Sequence, residues 1–171
     1  MRELLLLRHA KSSWDDPTLD DFDRPLAERG RKAAPVMGRA MAARGWVPQA
    51  AFVSAALRAR QTWRLVAGGL GGQAPRAVHD EALYMASPER LLGFLQQAPE
   101  DAGRVVLVGH NPGLEELALL LAGPASDEEA LSRLREKFPT AALARFEIAC
   151  PWRALAPAAA QLTHFLRPRD L

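Results

Sequence analysis

Two histidines and two arginines stand at the points where apolar stretches of this sequence stop. Arg8 and His9 follow directly on four leucines, and His110 follows the apolar run 104–109. Arg58 comes shortly after another apolar run, at the start of the segment behind it. Planar guanidinium groups match the oxygens of phosphate in pairs. Together these residue types predict a pocket for a small, highly charged anion, with phosphate as the first candidate.

The elements that must position these residues alternate between strands and helices. Short apolar runs predict strands, and apolar residues at helical spacing between Ser, Gly and Pro boundaries predict helices. The alternation predicts an α/β fold, a three-layer α/β/α sandwich with a mostly parallel central sheet and an antiparallel edge. The predicted strands span 3–8, 50–54, 76–79, 104–109, 141–149 and 160–166, and the predicted helices span 26–44, 57–68, 88–97, 113–122 and 126–137.

The predicted sheet brings the charged residues to one edge. Ligands of open α/β sheets bind outside the carboxyl ends of the strands. Arg58 and His110 also lie at helix starts, whose free N–H groups and partial positive charge favour anions. Two histidines could instead hold a metal, but zinc needs three or four ligands and neighbouring arginines would repel it. The sequence therefore predicts an anion pocket with no metal and no cofactor.

A long segment, residues 10–25, has turn-forming residues and is predicted to be a loop. A calcium site is one interpretation of its aspartates, but the EF-hand spacing and its central glycine are absent. We therefore interpret the aspartates as a solvated loop face. They are Asp15, Asp16, Asp20, Asp21 and Asp23.

Length and composition predict a single domain over residues 1–171. Twenty-two basic and 20 acidic residues give a net charge of +2, which argues against nucleic acid or a membrane surface as the partner. A single cysteine, Cys150, allows neither an internal disulfide nor a zinc motif. No apolar run is long enough to span a bilayer, and Arg8 cuts the first run too short for a signal peptide. The expected location is the cytoplasm, and the Ala, Arg, Leu and Pro bias suggests a bacterial genome.

Three ordered motifs in this sequence resemble those of the histidine phosphatase superfamily, also called the phosphoglycerate-mutase-like family. The motifs are R-H-G followed by S-x-W, then S-x-x-x-R-A-x-x-T, then a later G-H pair. They stand here at Arg8-His9-Ala10 with Ser12 and Trp14, at Ser54, Arg58, Ala59 and Thr62, and at Gly109-His110. The sequence departs from the R-H-G motif at Ala10, which stands where the family has glycine. Alanine allows fewer backbone conformations than glycine beside the predicted phosphate.

Within the family, the short chain resembles the SixA-type phosphohistidine phosphatases. Mutases and bisphosphatases of the family are longer and build a cap over the pocket. Here only residues 81–87 lie between the position that corresponds to the acid residue of the family and the next predicted helix. The resemblance therefore implies a phosphoglycerate-mutase-like fold with a wide, uncapped pocket.

The resemblance also implies a role for each site residue. Neutral His9 attacks phosphorus and becomes a phosphohistidine, which water then hydrolyses. Arg8 and Arg58 hold the phosphoryl oxygens and offset charge in the transition state. His110 donates a hydrogen bond to the phosphoryl group from the opposite side, and Ser12 adds an oxygen contact.

The proton donor to the leaving group is left open by the sequence. Glu81 stands where many family members have a catalytic Glu after the third strand, and the alternative is an ordinary surface carboxylate. Asp80 and His79 are further alternatives. A phosphohistidine substrate needs less help, because imidazole is a better leaving group than an alkoxide.

The sequence supports three functions. The first is a phosphatase for a phosphohistidine-bearing protein domain of the phosphorelay type. The second is a small-molecule phosphomonoesterase of the same fold, and the third is a non-catalytic phosphate or phosphoprotein binder. Retention of Arg8, His9, Arg58 and His110 together argues against the third, because a binder has no need of a nucleophilic histidine.

Overall fold

A mixed sheet of six strands runs through the centre of the computed structural model, which describes all 171 residues. The strands are β1 (Arg2–Arg8), β2 (Ala50–Ser54), β3 (Ala77–Asp80), β4 (Arg104–Gly109), β5 (Leu143–Ile148) and β6 (Ala160–Leu166). The α-helices are α1 (Glu28–Ala43), α2 (Leu57–Gly69), α3 (Pro88–Gln96), α4 (Gly113–Leu121) and α5 (Glu128–Glu136). No helix combines the length and the apolar character that a bilayer crossing requires.

Strand β1 lies inside the sheet, whose strand order is β3-β2-β4-β1-β5-β6. β1, β2, β3 and β4 run parallel, whereas β5 is antiparallel to both of its neighbours. The register pairs Arg8 with Gly109, so β1 and β4 end side by side at the same edge. The predicted mostly parallel sheet with an antiparallel edge is confirmed.

The four leucines of β1 are fully buried because they alternate between two hydrophobic cores. Leu4 and Leu6 pack in a core with α3, α4 and α5, whereas Leu5 and Leu7 pack in a core with α1 and α2. A strand that is apolar on both faces needs helices above and below the sheet. The predicted three-layer arrangement is therefore confirmed.

Every predicted helix and strand is present, with ends within two residues of the predicted ones. Helix α5 begins later than predicted because the carboxylate of Asp127 accepts the N–H of Ala130 at 2.8 Å and caps the helix there. Strand β5 begins later because Ala141 takes a positive φ of 62°. Helix α1 contains Pro35 and runs through it without a break.

Helices α1 and α2 pack closely because a glycine lies at their contact. A Cβ placed on Gly38 of α1 would lie 2.2 Å from the carbonyl oxygen of Val66 in α2. A Cβ placed on Gly68, at the far end of α2, would meet nothing within 4 Å. Gly38 is therefore required by helix packing, and Gly68 is not.

We predict that Gly38→Ala lowers the free energy of unfolding by about 1–3 kcal/mol, because α1 and α2 must move apart. The matched variant Gly68→Ala should raise it by about 0.4–1 kcal/mol, because alanine reduces the entropy of the unfolded chain without a clash. Urea denaturation of both variants measures the difference. Equal stability of the two variants would show that the helices can separate at no cost.

Candidate active site

A cavity of about 300 Å³ lies at the edge where β1 and β4 end. It carries four fully cationic side chains and two histidines, but only one carboxylate, that of Asp21. Its lining residues are Arg8, His9, Lys11, Ser12, Trp14, Asp21, Arg24, Arg58, Met85, His110, Asn111 and Thr140. The structure thus brings together the four residues that the sequence singled out for anion binding.

His9 is buried at the end of β1 and is held as a neutral ring. Its Nδ1 lies 2.7 Å from the carbonyl oxygen of Ala10. Because a carbonyl only accepts, Nδ1 must carry the proton, and Nε2 is left with a free lone pair. Burial, and then the nearby cations Arg58 and Arg8, together lower the pKa of His9 to about 3. His9 therefore has the protonation state that a nucleophile needs.

His110 faces His9, with the two ring centroids 5.1 Å apart. Its Nε2 lies 2.8 Å from the hydroxyl of Ser54, while its Nδ1 is buried without a hydrogen-bond partner in the protein. If Ser54 donates to Nε2, then Nδ1 carries the proton and can donate to an anion. The pKa of His110 is lowered to about 3. Burial is the largest cause, and the charges of His9, Arg58 and Arg8 act in the same direction.

The two arginines keep donors available at the cavity. Arg8 donates through Nη1 to the carbonyl of Phe138 at 3.1 Å, and Arg58 donates through Nη1 to the carbonyl of Asp21 at 2.6 Å. The Nε atoms of both arginines are buried without a partner in the protein. A buried donor without an acceptor is destabilising, so these N–H groups favour a bound anion.

Thr62 forms hydrogen bonds to both Ala10, after β1, and Arg58, in α2. Its hydroxyl accepts the N–H of Ala10 at 2.9 Å and donates to the carbonyl of Arg58 at 2.6 Å. The threonine of the S-x-x-x-R-A-x-x-T motif thereby links the end of β1 to the first turn of α2. Ala10 has no positive φ, so alanine fits where the family motif has glycine.

Asp21 is the site residue that the sequence did not reveal. Its carboxylate accepts from Arg58 at 2.9 Å and from Arg24 at 3.0 Å, and it also accepts the hydroxyl of Tyr84. The hydrogen bond from Tyr84, and then those from the two arginines, hold the pKa of Asp21 well below its usual range. The aspartates of loop 10–25 were interpreted as a solvated face, and Asp21 is exposed, but its carboxylate also lines the cavity. No local pattern distinguishes it from the four other aspartates of the loop.

The two other predicted site residues, Ser12 and Glu81, have different positions. Ser12 lines the cavity, and its hydroxyl accepts from Arg24 at 2.8 Å. Glu81 begins a short 3-10 turn after β3, is exposed, and is not part of the cavity lining. The structure therefore brings Ser12 to the site and leaves Glu81 outside it. No group of three or more potential metal ligands is present.

The fold and this site define a class of protein, an α/β phosphatase scaffold whose pocket pairs two histidines with two arginines. The model of the histidine phosphatase superfamily (branch 1) matches residues 4–84, which include Arg8, His9 and Arg58. The chain belongs to the histidine phosphatase superfamily.

Full-length relatives place the chain beside the SixA proteins of that family. The candidate phosphohistidine phosphatase SixA of Agrobacterium tumefaciens is 32% identical, covers 98% of both chains and has a TM-score of 0.81. Its counterpart from Nakamurella multipartitia is 28% identical, covers 98% of this chain and 96% of its own, and has a TM-score of 0.84. The uncharacterized protein MT1313 of Mycobacterium tuberculosis is 35% identical over 164 residues, 95% of this chain and 100% of its own length. The resemblance to SixA inferred from the sequence is confirmed.

We predict that Asp21→Asn tightens the binding of orthophosphate about fivefold to tenfold. Asparagine can still accept from Arg58, but it removes a negative charge that opposes the anion. Isothermal titration calorimetry with orthophosphate measures the change. Asp20→Asn is the matched control, because Asp20 is exposed in the same loop and makes no ion pair. Weaker binding in Asp21→Asn would mean that its charge is needed to hold Arg58.

We also predict that the stability of the protein falls as the pH drops from about 6.5 toward about 3. The folded state keeps His9 and His110 neutral in this interval, whereas histidines of the unfolded chain protonate near pH 6.5. The unfolded state then binds up to two more protons, and each proton lowers the free energy of unfolding by about 1.4 kcal/mol per pH unit. Above about pH 6.5 neither state is protonated, and the full stability is present.

Urea denaturation at about pH 7, 6 and 5 measures this slope. His9→Gln should reduce it by up to about 1.4 kcal/mol per pH unit, because one of the two groups is gone. His79→Gln, a substitution of an exposed histidine, should leave most of the slope of stability against pH unchanged. Equal slopes in both variants would contradict the assignment of a neutral His9.

Proposed function

We propose that this protein hydrolyses phosphohistidine on a protein, through a covalent phosphohistidine intermediate on His9. The single observation that carries the proposal is that Asp21, the only carboxylate in the cavity lining, is held in its ionised form. Asp21 is held ionised by Tyr84 and two arginines, so it is a poor proton donor. A pocket with a neutral nucleophile but no ready acid suits a P–N bond, whose imidazole leaving group needs less protonation than an alkoxide.

The proposed reaction has two displacements at phosphorus. In the first, the lone pair on Nε2 of His9 attacks and the P–N bond of the substrate breaks; the substrate histidine departs with that electron pair as neutral imidazole, because its other ring nitrogen carries a proton. In the second, water attacks the phosphoryl group on His9, the bond from phosphorus to Nε2 breaks, and orthophosphate leaves with the protons of the water. Arg8 and Arg58 stabilise the charge on the phosphoryl oxygens in both steps. His110 donates through Nδ1 from the other side, and no metal ion takes part.

The shape of the site supports a macromolecular substrate. The span between β3 and α3 is a 3-10 turn at Glu81–Leu83 and a short connection, so no domain covers the cavity. Trp14, with 71% of its surface exposed, and the exposed Met85 stand at the rim. An uncovered site of this kind admits a histidine presented on the surface of a protein domain.

We predict that wild-type protein hydrolyses a phosphohistidine peptide at least about tenfold faster, in kcat/KM, than phosphoserine, phosphotyrosine or sugar phosphates. His9→Ala should lower that activity by about 10³-fold or more, because the nucleophile is removed. A rapid alkaline denaturing quench, which preserves the acid-labile P–N bond, should trap a phosphoenzyme in the wild type and none in the variant.

Glu81→Gln is the matched variant outside the cavity and should retain activity within about twofold. A loss of about 10²–10⁴-fold on phosphate esters would instead assign Glu81 as the general acid. Strong turnover of a sugar phosphate with none of phosphohistidine would favour the small-molecule phosphomonoesterase. Full activity of His9→Ala would exclude the covalent route.

A further inference from the structure

A second cavity, of about 230 Å³, lies beside the active site, and five of its nine lining residues are cations. We call it the basic annex. It lies between the start of α1, the end of α5 and the C-terminal segment after β6. Its charged residues are Arg29, Arg133, Glu136, Lys137, Arg167 and Arg169.

The annex concentrates positive charge on a nearly neutral protein. Five of its side chains are cationic and one is anionic, so its lining carries a net charge of 5 − 1 = +4. The whole chain carries +2, so the remaining residues together carry 2 − 4 = −2. A local excess of this size attracts negatively charged partners and accelerates their association.

Most of the annex cations are not neutralised within the protein. Arg29, Lys137 and Arg169 form none of the ion pairs of the structure. Arg133 approaches Glu129 only at 3.9 Å. Arg167 alone has a close partner, Asp170, which accepts from it at 2.9 Å. The annex can therefore offer several charged donors to a ligand.

The annex is joined to the active site by the segment that follows α5. Thr140 lines both cavities. The carbonyl of Phe138, beside it, accepts from Arg8 at 3.1 Å and from Asn111 at 3.0 Å. The N–H of Ala141 donates to the carbonyl of Arg8 at 3.1 Å. One short stretch of backbone thus forms a wall of the annex and positions a phosphate-binding arginine.

We propose that the basic annex binds carboxylate side chains of the protein that carries the phosphohistidine. This inference rests on the proposed function and specifies its partner as a domain with acidic residues near the phosphorylated histidine. Apart from Pro139 and Pro168 the annex has no apolar side chain in its lining, and it has no aromatic one, so it suits neither an apolar helix face nor a stacked base. Arg29, Lys137 and Arg169 are exposed on three separate elements, which suits carboxylates spread over a protein surface.

The test compares two phosphohistidine peptides that differ only in whether the flanking residues are glutamate or glutamine. Wild-type protein should prefer the glutamate peptide by about tenfold in kcat/KM, mainly through KM. Lys137→Ser with Arg169→Ser should abolish the preference. Because the readout is a ratio between two substrates, it is insensitive to a general loss of activity. High salt should also reduce the preference, because it screens exposed charges.

The matched control is Arg39→Ser with Arg64→Ser, which removes the same charge from exposed positions outside the annex. The control should keep the preference. If it loses the preference as well, or if the wild type has none, the annex does not bind carboxylates. Equal preference in the wild type and the annex variant would also overturn the inference.

A second measurement separates this inference from the proposed function. Fluorescence anisotropy with unphosphorylated glutamate and glutamine peptides reports on the annex without any catalysis. Stronger binding of the glutamate peptide, lost in the annex variant, supports the annex even if no phosphohistidine is hydrolysed. In that case the proposed function alone fails. Hydrolysis of both phosphohistidine peptides with no glutamate preference in binding would leave the proposed function and overturn the annex.

Discussion

The burial of β1 is the constraint on which the rest of the structure depends. Its four leucines are inaccessible to solvent, and its backbone is paired with β4 on one side and β5 on the other. The pairing continues past the strand, where the N–H of His9 donates to the carbonyl of Gly109 at 3.1 Å. A strand held on two faces and two edges cannot shift its register without exposing a core face. His9, at the end of this strand, therefore has a fixed position.

The same burial sets the chemistry of the site. His9 lies where the apolar core ends and the cations begin, so both desolvation and charge favour its neutral form. The hydrogen bond to the carbonyl of Ala10 then selects the tautomer with a free Nε2. Arg8 and Arg58 are held by backbone carbonyls and by Asp21, which orients them before an anion arrives. The protein thus holds in place both the neutral imidazole and the positive charge that the proposed phosphoryl transfer requires.

The active site and the basic annex depend on a common connection. The chain between α5 and β5 positions Arg8 through its backbone and contributes Thr140 to both cavities. Family membership accounts for the centre of the first cavity, because Arg8, His9, Arg58 and His110 belong to ordered motifs. The annex is built from residues outside those motifs.

The sequence by itself determined the elements and the four central residues. The spacing of apolar residues reflects local chain geometry. In β1, α2 and β4 that spacing agrees with the structure each segment adopts, so the ends of these elements were predictable. Arg8, His9, Arg58 and His110 were predictable because strand ends of a parallel sheet meet at one edge. The resemblance to the family added their roles.

Only the tertiary structure decided the positions of groups carried by loops. The place of Asp21 at the cavity depends on its contacts with Tyr84 and Arg58, which are distant in sequence, and no local pattern encodes those contacts. The exclusion of Glu81 from the cavity depends on how the turn after β3 is placed against the sheet. The annex likewise gathers side chains from α1, α5 and the C-terminal segment. Long-range packing, which has no sequence period, determines all three.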